Sequence, residues 1–298
     1  MVGAAEALHR RVSVPVRVLV TGAGGQLGLD LTRAFGGDDL FAMTSARLDV
    51  TDRDAVMGAI TSIRPDVVVH AAAWTAVDAC EADPDKALRV NALGSRHVAE
   101  ACGRTSAYLC AISTDYVFDG TATVAYTEWD PTNPKSVYGR SKLAGEREVQ
   151  GLAPGSAVVR TSWLCGAGGP NFVKTMLGLA QNTGREVKVV ADQWGCPTFT
   201  TDLADVIRQL AVTRMAGLFH ATNQGATTWH GFATEIFAAA GSDPARVVPI
   251  TTDELDPPRA APRPAFSVLD NAAMRLSGVR LLPDYHDPLE RLVKELSA

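Results

Sequence analysis

The chain has 298 residues, about twice the usual domain size, so it can form one large α/β body or two lobes. Because 46% of the residues are hydrophobic and 20% are charged, the composition is that of a globular protein with a sizeable core, which excludes disorder and fibrous repeats. The net charge of −5 argues against nucleic acids and membrane surfaces as partners, so any anionic ligand must be held by a few locally placed groups.

The cysteines and the N-terminal residues indicate a compartment. No C-x-x-C pair occurs among the cysteines, and their number is odd, which predicts a reducing compartment without disulfides or a zinc site. We interpret residues 1–14 as a leader, for which disorder is one expectation. It does not have the pattern of a signal peptide, because no apolar segment follows Arg10 and Arg11. No run of 18 apolar residues occurs, so we expect a cytoplasmic protein.

Short apolar runs alternate with longer stretches through the first half of the chain. Each run predicts a strand and each stretch is long enough for a helix, which implies right-handed crossovers and a parallel sheet. The predicted strands are 16–20, 40–43, 67–70, 107–112 and 157–160. The second half predicts a glycine-rich loop at 166–170, an extended segment at 187–197, a proline-rich segment at 253–263, and helices at 200–210, 231–240 and 289–296.

Together these elements predict an α/β fold, a Rossmann-like doubly wound parallel sheet with a smaller, discontinuous substrate-binding lobe. We assign residues 15–161 and about 198–221 to the sheet domain. The lobe is expected to comprise about 162–197 and 222–298.

A glycine turn directly follows the first predicted strand. Gly22, Gly25 and Gly28 form G-x-x-G-x-x-G at the start of a predicted helix. Glycines at these positions allow a tight turn, a close approach of the backbone to a pyrophosphate, and close packing of the helix on the strand. In this context the motif predicts dinucleotide binding, with the spacing typical of short-chain dehydrogenases.

The end of the second predicted strand indicates which dinucleotide is bound. An acidic side chain there accepts a hydrogen bond from a ribose 2′-hydroxyl, whereas a basic one suits a 2′-phosphate. Ser45 and Arg47 follow the strand, and no acidic residue occurs before Asp49. The sequence therefore favours NADPH, with NADH as the alternative. The alternative role of Arg47 is that of a side chain on a solvated loop, without contact to a cofactor.

Tyr138 and Lys142 stand four residues apart, so they lie on the same face of a helix. A free tyrosine has a pKa of about 10, and a nearby cation lowers it toward neutrality, so the pair predicts a proton donor and its tuning ammonium. Thr114 follows the fourth predicted strand, where parallel sheets place their sites, and is predicted to orient a carbonyl. The alternatives are a chance helical spacing and a hydroxyl that caps the next turn.

Several segments together resemble the dTDP-4-dehydrorhamnose reductases, a family of extended short-chain dehydrogenases/reductases, from about Arg17 to about Arg291. The segments that carry the resemblance are T-G-A-G-G-Q-L-G at 21–28, V-N-A-L-G at 90–94, S-T-D-Y-V-F-D-G at 113–120, Y-G-R-S-K at 138–142, R-T-S-W-L at 160–164, G-P-N-F-V at 169–173, D-Q-W-G-C-P-T at 192–198, R-P at 263–264 and S-V-L-D at 267–270. The resemblance implies reduction by NADPH of the 4-keto group of dTDP-6-deoxy-L-lyxo-4-hexulose to dTDP-L-rhamnose, the last step of dTDP-rhamnose synthesis for cell-surface polysaccharide.

The resemblance also implies roles for individual residues. Thr114 would hydrogen-bond the keto oxygen, Tyr138 would donate the proton, and Lys142 would tune Tyr138 and bind the cofactor ribose. Implied cofactor contacts are Gln26 and Leu27 at the pyrophosphate, Asp49 and Val50 at the adenine, Ala71, Ala72 and Ala73 at the nicotinamide, and Asn91 on the proton path. Implied contacts of the sugar nucleotide are Thr75, Val77, Asp78, Thr114, Asp115 and Trp163.

Three further expectations concern charged groups and assembly. We expect Arg259 and Arg263, in the proline-rich segment, to hold the diphosphate of the substrate, with a structural role as the alternative. Asp30 stands where some members of the family carry a magnesium-binding glutamate. An aspartate can ligate Mg²⁺, but a surface carboxylate in a first helical turn is commoner, so we predict no metal. Both a monomer and a homodimer remain open.

Other functions share parts of this pattern. A sugar-nucleotide 4,6-dehydratase needs an adjacent Asp-Glu pair, whereas Asp115 is followed by Tyr116. A 4-epimerase usually carries serine and small residues at this strand end. Two further alternatives are another sugar-nucleotide 4-ketoreductase and a non-catalytic protein. The latter would be similar to the regulatory subunit of methionine adenosyltransferase.

Overall fold

The computed structural model describes residues 16–182 and 184–297, so the predicted leader, residues 1–14, lies outside the described residues. A six-stranded parallel sheet forms the centre of the fold. Its strands are β1 (Arg17–Thr21), β2 (Asp39–Met43), β3 (Val67–His70), β4 (Tyr108–Thr114), β5 (Ala157–Thr161) and β10 (Gly217–His220). They are arranged in the order β10-β5-β4-β3-β1-β2.

Helices cover both faces of the sheet, so the sheet is doubly wound. The helices of this part are α1 (Gln26–Ala34), α2 (Arg53–Ile63), α3 (Val77–Ala82), α4 (Pro84–Leu88), α5 (Gly94–Thr105), α6 (Val137–Leu152) and α8 (Thr200–Thr213). On one face, Leu31 of α1 and Ile207 of α8 pack on Val18 and Val20 of β1. On the other face, α2, α5 and α6 pack on Leu19. Because helices cover both faces of the sheet, its strands are apolar on both sides.

A third core lies in the C-terminal half of the chain. Its helices are α7 (Phe172–Gln181), α9 (Trp229–Ala239) and α11 (His286–Ser297), and α10 (Ala272–Leu276) lies nearby against β10. Three small two-stranded sheets accompany them, formed by β6 (Leu164–Cys165) with β9 (Thr198–Phe199), β7 (Val187–Val190) with β12 (Val247–Ile250), and β8 (Trp194–Gly195) with β11 (Thr227–Thr228). Buried Phe232, Ile236 and Phe237 of α9 form the centre of this core.

The predicted fold class is confirmed, including the parallel sheet. The main differences from the predicted strands of this sheet are that β4 continues to Thr114 and that β10 was not predicted, while the bounds of β1, β2 and β5 differ by one residue. The boundaries assigned to the two domains stay a prediction. No helix in the described part of the chain is long and apolar enough to cross a membrane.

Candidate active site

A cavity of about 550 Å³ opens at the carboxyl edge of the sheet. The strand order reverses between β1 and β3, and parallel sheets place their ligand sites at such a point. The cavity is lined by the glycine turn, the segment after β3, the end of β4, α6 and parts of the second half of the chain. The predicted site residues on its wall are Gly22, Gly25, Gln26, Leu27, Gly28, Ala71, Ala73, Thr75, Val77, Thr114, Asp115, Tyr138, Lys142 and Trp163.

The glycine turn closes tightly between β1 and α1. Gly22 has a φ of +69°, and a Cβ atom there would lie 2.6 Å from the backbone nitrogen of Ala72. A Cβ atom on Gly28 would lie 2.2 Å from the carbonyl oxygen of Gly22. Helix α1 begins directly after Gly25, so the amides of its first turn, which have no partner within the helix, lie at the cavity wall. This cradle fits the pyrophosphate of a dinucleotide.

A loop from the second half of the chain covers the glycine turn. The Asn171 side-chain nitrogen donates a hydrogen bond of 2.9 Å to Oε1 of Gln26. Gly169 and Pro170 line the cavity beside it. The sequence predicted a glycine-rich loop here but gave no signal that it would meet the glycine turn.

The segment after β2 lies beside the glycine turn, since the amide of Ala23 donates to the carbonyl of Met43 at 3.1 Å. Ser45 and Arg47 are exposed in this segment. The Arg47 guanidinium donates to the carbonyl of Ala42 at 3.3 Å. These two side chains are therefore next to the cradle but outside the wall of the cavity, within reach of solvent.

Four of the residues implied for the cofactor lie outside the cavity wall as the described residues form it. Asp49 is exposed, and Val50 and Ala72 pack in or against the core beside β3. Asn91 is fully buried, and its amide exchanges hydrogen bonds of 2.8 Å and 3.1 Å with the backbone of Trp74. Asn91 thus holds the segment after β3 in place, and its implied place on the proton path stays a prediction.

Thr114, Tyr138 and Lys142 meet on one wall of the cavity. The Ser136 hydroxyl caps the N-terminus of α6, which begins at Val137, so both α6 side chains project from its first turns. Lys142 donates from Nζ to the carbonyl of Ile112 at 2.7 Å. The last residue of β4 brings its hydroxyl to the same wall, so a keto oxygen there would meet two hydroxyl groups.

Burial dominates the ionisation of these groups. It raises the pKa of the Tyr138 phenol well above its usual range, although the neighbouring Thr114 hydroxyl acts in the opposite direction. Burial lowers the pKa of Lys142 to about 8, and the Glu146 carboxylate opposes this change. Burial outweighs the opposing effects on the Tyr138 pKa in this structure, and the expected tuning of Tyr138 by Lys142 stays a prediction. Tyr138 keeps its proton at neutral pH.

Asp115 and Trp163 line the part of the cavity next to Thr114. Burial raises the pKa of Asp115 to about 6, and its Oδ2 atom is buried without a hydrogen-bond partner among the described residues. Trp163 stacks on Trp229, with ring centroids 3.5 Å apart and planes within 9°. Sequence reasoning missed Trp229, because no local pattern connects it with Trp163, which stands far earlier in the chain.

Asp78 pairs with the proline-rich segment and does not line the cavity wall that the described residues form. Its two carboxylate oxygens lie 2.5 Å and 2.7 Å from the guanidinium nitrogens of Arg263, and Arg259 lies at 4.0 Å. The hydrogen bond from Arg263 lowers the pKa of Asp78 to about 2. The three charges thus neutralise one another in part, and their expected contacts with the substrate stay predictions.

Asp30 is buried, so its interpretation as a surface carboxylate is wrong. Because α1 packs against α8, its carboxylate accepts hydrogen bonds from Thr200 at 2.5 Å and from Arg33 at 2.8 Å. Within residues 16–182 and 184–297, no group of three or more histidine, cysteine or acidic side chains could hold a metal ion. All five cysteines are buried and free.

Comparisons with known proteins agree with this geometry. Residues 16–298 match the family model of the RmlD substrate binding domain. The chain is 47% identical to a dTDP-4-dehydrorhamnose reductase of Streptomyces griseus, over 89% of each chain. It is 42% identical to a dTDP-4-keto-6-deoxy-D-glucose reductase of Streptomyces niveus, over 88% of this chain and 91% of that one. A crystal structure of dTDP-4-dehydrorhamnose reductase from Bacillus anthracis str. Ames, in complex with NADP, superposes with a TM-score of 0.90 at 39% identity, over 95% of this chain and all of that one (100%).

Proposed function

The chain belongs to the dTDP-4-dehydrorhamnose reductase family, and we propose that it uses NADPH to reduce the 4-keto group of dTDP-4-dehydro-L-rhamnose to dTDP-L-rhamnose. The observation that carries this proposal is the meeting of Thr114, Tyr138 and Lys142 on the wall of a cavity that also contains the glycine cradle. A proton donor and a dinucleotide site in one cavity are what the reduction of a ketone requires.

The proton and the charge are handled by groups of this chain. Bound NADPH supplies the hydride that reaches C4 of the sugar. The Thr114 and Tyr138 hydroxyls hold the keto oxygen, and Tyr138 transfers its phenolic proton to that oxygen as negative charge develops there. Because burial raises the pKa of Tyr138, the proton stays on the phenol until that moment. The Lys142 ammonium stabilises the phenolate that remains.

The sugar nucleotide is held by the rest of the wall. The free Oδ2 of Asp115 accepts a hydrogen bond from a sugar hydroxyl, since a buried carboxylate oxygen without a partner favours a donor strongly. The stacked rings of Trp163 and Trp229 form an apolar wall for the nucleotide. On this proposal, residues 15–161 and about 198–221 bind NADPH, and about 162–197 and 222–298 bind the sugar nucleotide.

The alternative substrate is dTDP-4-keto-6-deoxy-D-glucose. It stays open because the relative from Streptomyces niveus is named as a reductase of that sugar nucleotide. The dehydratase alternative is weaker in the structure as well, since the side chain after Asp115 is Tyr116, which packs edge-on against Tyr138 at 5.5 Å between ring centroids. A phenol in that place supplies no second carboxylate.

The test follows NADPH absorbance with the purified full-length chain. We expect oxidation of NADPH when the dTDP-linked 4-keto-6-deoxy-L-sugar is supplied, and little with dTDP-4-keto-6-deoxy-D-glucose or with NADPH alone. Faster turnover of dTDP-4-keto-6-deoxy-D-glucose would identify that sugar nucleotide, and not the L-sugar, as the substrate. Binding of NADPH without turnover of either sugar would contradict the reductase assignment and favour a regulatory role.

A further inference from the structure

One face of α6 meets the end of β4 over three successive helical turns. The residues of this face are spaced four apart, so they lie in a row above the strand. Tyr138 lines the cavity wall together with Thr114. Lys142 Nζ donates to the carbonyl of Ile112 at 2.7 Å, and Glu146 Oε1 accepts from the hydroxyl of Ser113 at 2.5 Å. Two of these three helical residues belong to the proposed chemistry, and Glu146 does not.

Glu146 is bonded to a second strand at the same time. Its two carboxylate oxygens accept hydrogen bonds of 2.9 Å and 2.8 Å from Arg160 of β5. Only 3% of the Glu146 side chain and 4% of the Arg160 side chain are exposed. Arg160 is the register partner of Ser113 across β4 and β5, so one carboxylate joins α6 to both strands. A fully buried, bidentate pair of this kind has a fixed geometry.

We propose that Glu146 is a positioning residue of the active site, whose carboxylate sets α6 against β4 and β5 so that Tyr138 and Lys142 face Thr114. This inference rests on the proposed function, because it concerns the geometry of the same reaction. Glu146 lies outside the wall that the described residues give the cavity, and its effect passes through the helix.

Glu146 also acts on the charge of Lys142. The two side chains are one helical turn apart, and the carboxylate opposes the lowering of the Lys142 pKa that burial causes. His70, whose pKa burial lowers to about 3, is neutral and adds no charge. The titratable groups whose charges are coupled to that of Lys142 are His70 of β3 and Glu146 of α6. Among them, Glu146 supplies the charge that favours the ammonium.

The experiment compares E146Q with E148Q, the matched control on the same helix. Glu148 is half-buried and pairs loosely with Arg96 at 3.4 Å. For E146Q we expect kcat to fall about 10²-fold, because a small misplacement of catalytic groups has an effect of that size, with NADPH affinity near that of the wild type. We also expect the alkaline limb of the kcat profile to move down by about one pH unit, since Lys142 loses its neighbouring carboxylate. E148Q should match the wild type in both.

E146Q leaves Arg160 buried without its partner, which can prevent folding. The double variant E146Q/R160M removes both buried charges. The position of the alkaline limb of its kcat profile is measured in the same way, and this measurement decides the outcome when E146Q does not fold. A lower kcat with an unmoved limb would show a merely structural role and overturn the proposal, as would wild-type behaviour. Absence of turnover in both the wild type and E148Q would instead overturn the proposed function, and this inference with it.

Discussion

The two ends of the site, the reaction end of the cavity and the exposed segment beside the glycine cradle, are built differently. At the reaction end, Thr114, Tyr138 and Lys142 are buried, and the side chains of Thr114 and Lys142 are hydrogen-bonded within the protein. At the exposed end, outside the cavity wall, the side chains of Ser45 and Arg47 face solvent. Electrostatic interactions are strong where water is excluded and weak where it is not. Substitutions at the reaction end should therefore have large effects on rate, and substitutions at the exposed end should have small effects on cofactor choice.

The largest effect is expected for Tyr138→Phe. This change removes the proton donor and keeps the ring that packs against Tyr116. We expect kcat to fall by about 10²–10⁴-fold, with NADPH affinity nearly unchanged, as measured by NADPH oxidation and by titration of cofactor fluorescence. A rate near that of the wild type would remove Tyr138 from the mechanism and make the two ends of the site equivalent.

An intermediate effect is expected for Gly28→Ala, in the cradle between the two ends. The added methyl group would lie 2.2 Å from the carbonyl oxygen of Gly22, so the turn must shift. We expect NADPH affinity to fall about tenfold, the size of a typical overpacking penalty. Gly37→Ala is the matched control, because nothing lies within 4 Å of a Cβ atom there. Equal affinities of the two variants would show that the turn does not hold the pyrophosphate.

The smallest effect is expected for Arg47→Glu at the exposed end. An exposed ion pair contributes about 1 kcal/mol at most, so we expect NADPH affinity to fall about fivefold relative to NADH affinity. Titration of both cofactors against the same variant separates this effect from a general loss of binding. Equal weakening of the two would contradict contact between Arg47 and the 2′-phosphate.

The local patterns of the sequence predicted the parts of the site that lie close together in the chain. The glycine turn follows an apolar strand directly, and Tyr138 and Lys142 share one helix, so spacing alone placed them. The strand β10 was missed, because it contains two strongly apolar residues, Leu218 and Phe219, and begins with an exposed glycine. Its place at the sheet edge depends on pairing with β5, which no local pattern shows.

Burial of charged side chains was the other feature beyond reach of the sequence. Asp30 carries the pattern of a solvated first turn, and only the packing of α1 on α8 places its carboxylate inside. Glu146 does carry a local signal, since it continues the four-residue spacing of Tyr138 and Lys142. That spacing could have drawn attention to it, but its partner Arg160 comes from a separate strand.

The central claim is that hydride reaches C4 of the sugar in the cavity that Tyr138 lines. The most direct measurement supplies NADPH deuterated at the transferring position together with the dTDP-linked 4-keto-6-deoxy-L-sugar, and locates the label in the product by NMR. The account predicts deuterium at C4 of dTDP-L-rhamnose in the wild type, and a yield of labelled product lower by about 10²-fold or more in Tyr138→Phe over the same time. Deuterium at another carbon, or a product without deuterium while NADPH is consumed, would contradict it.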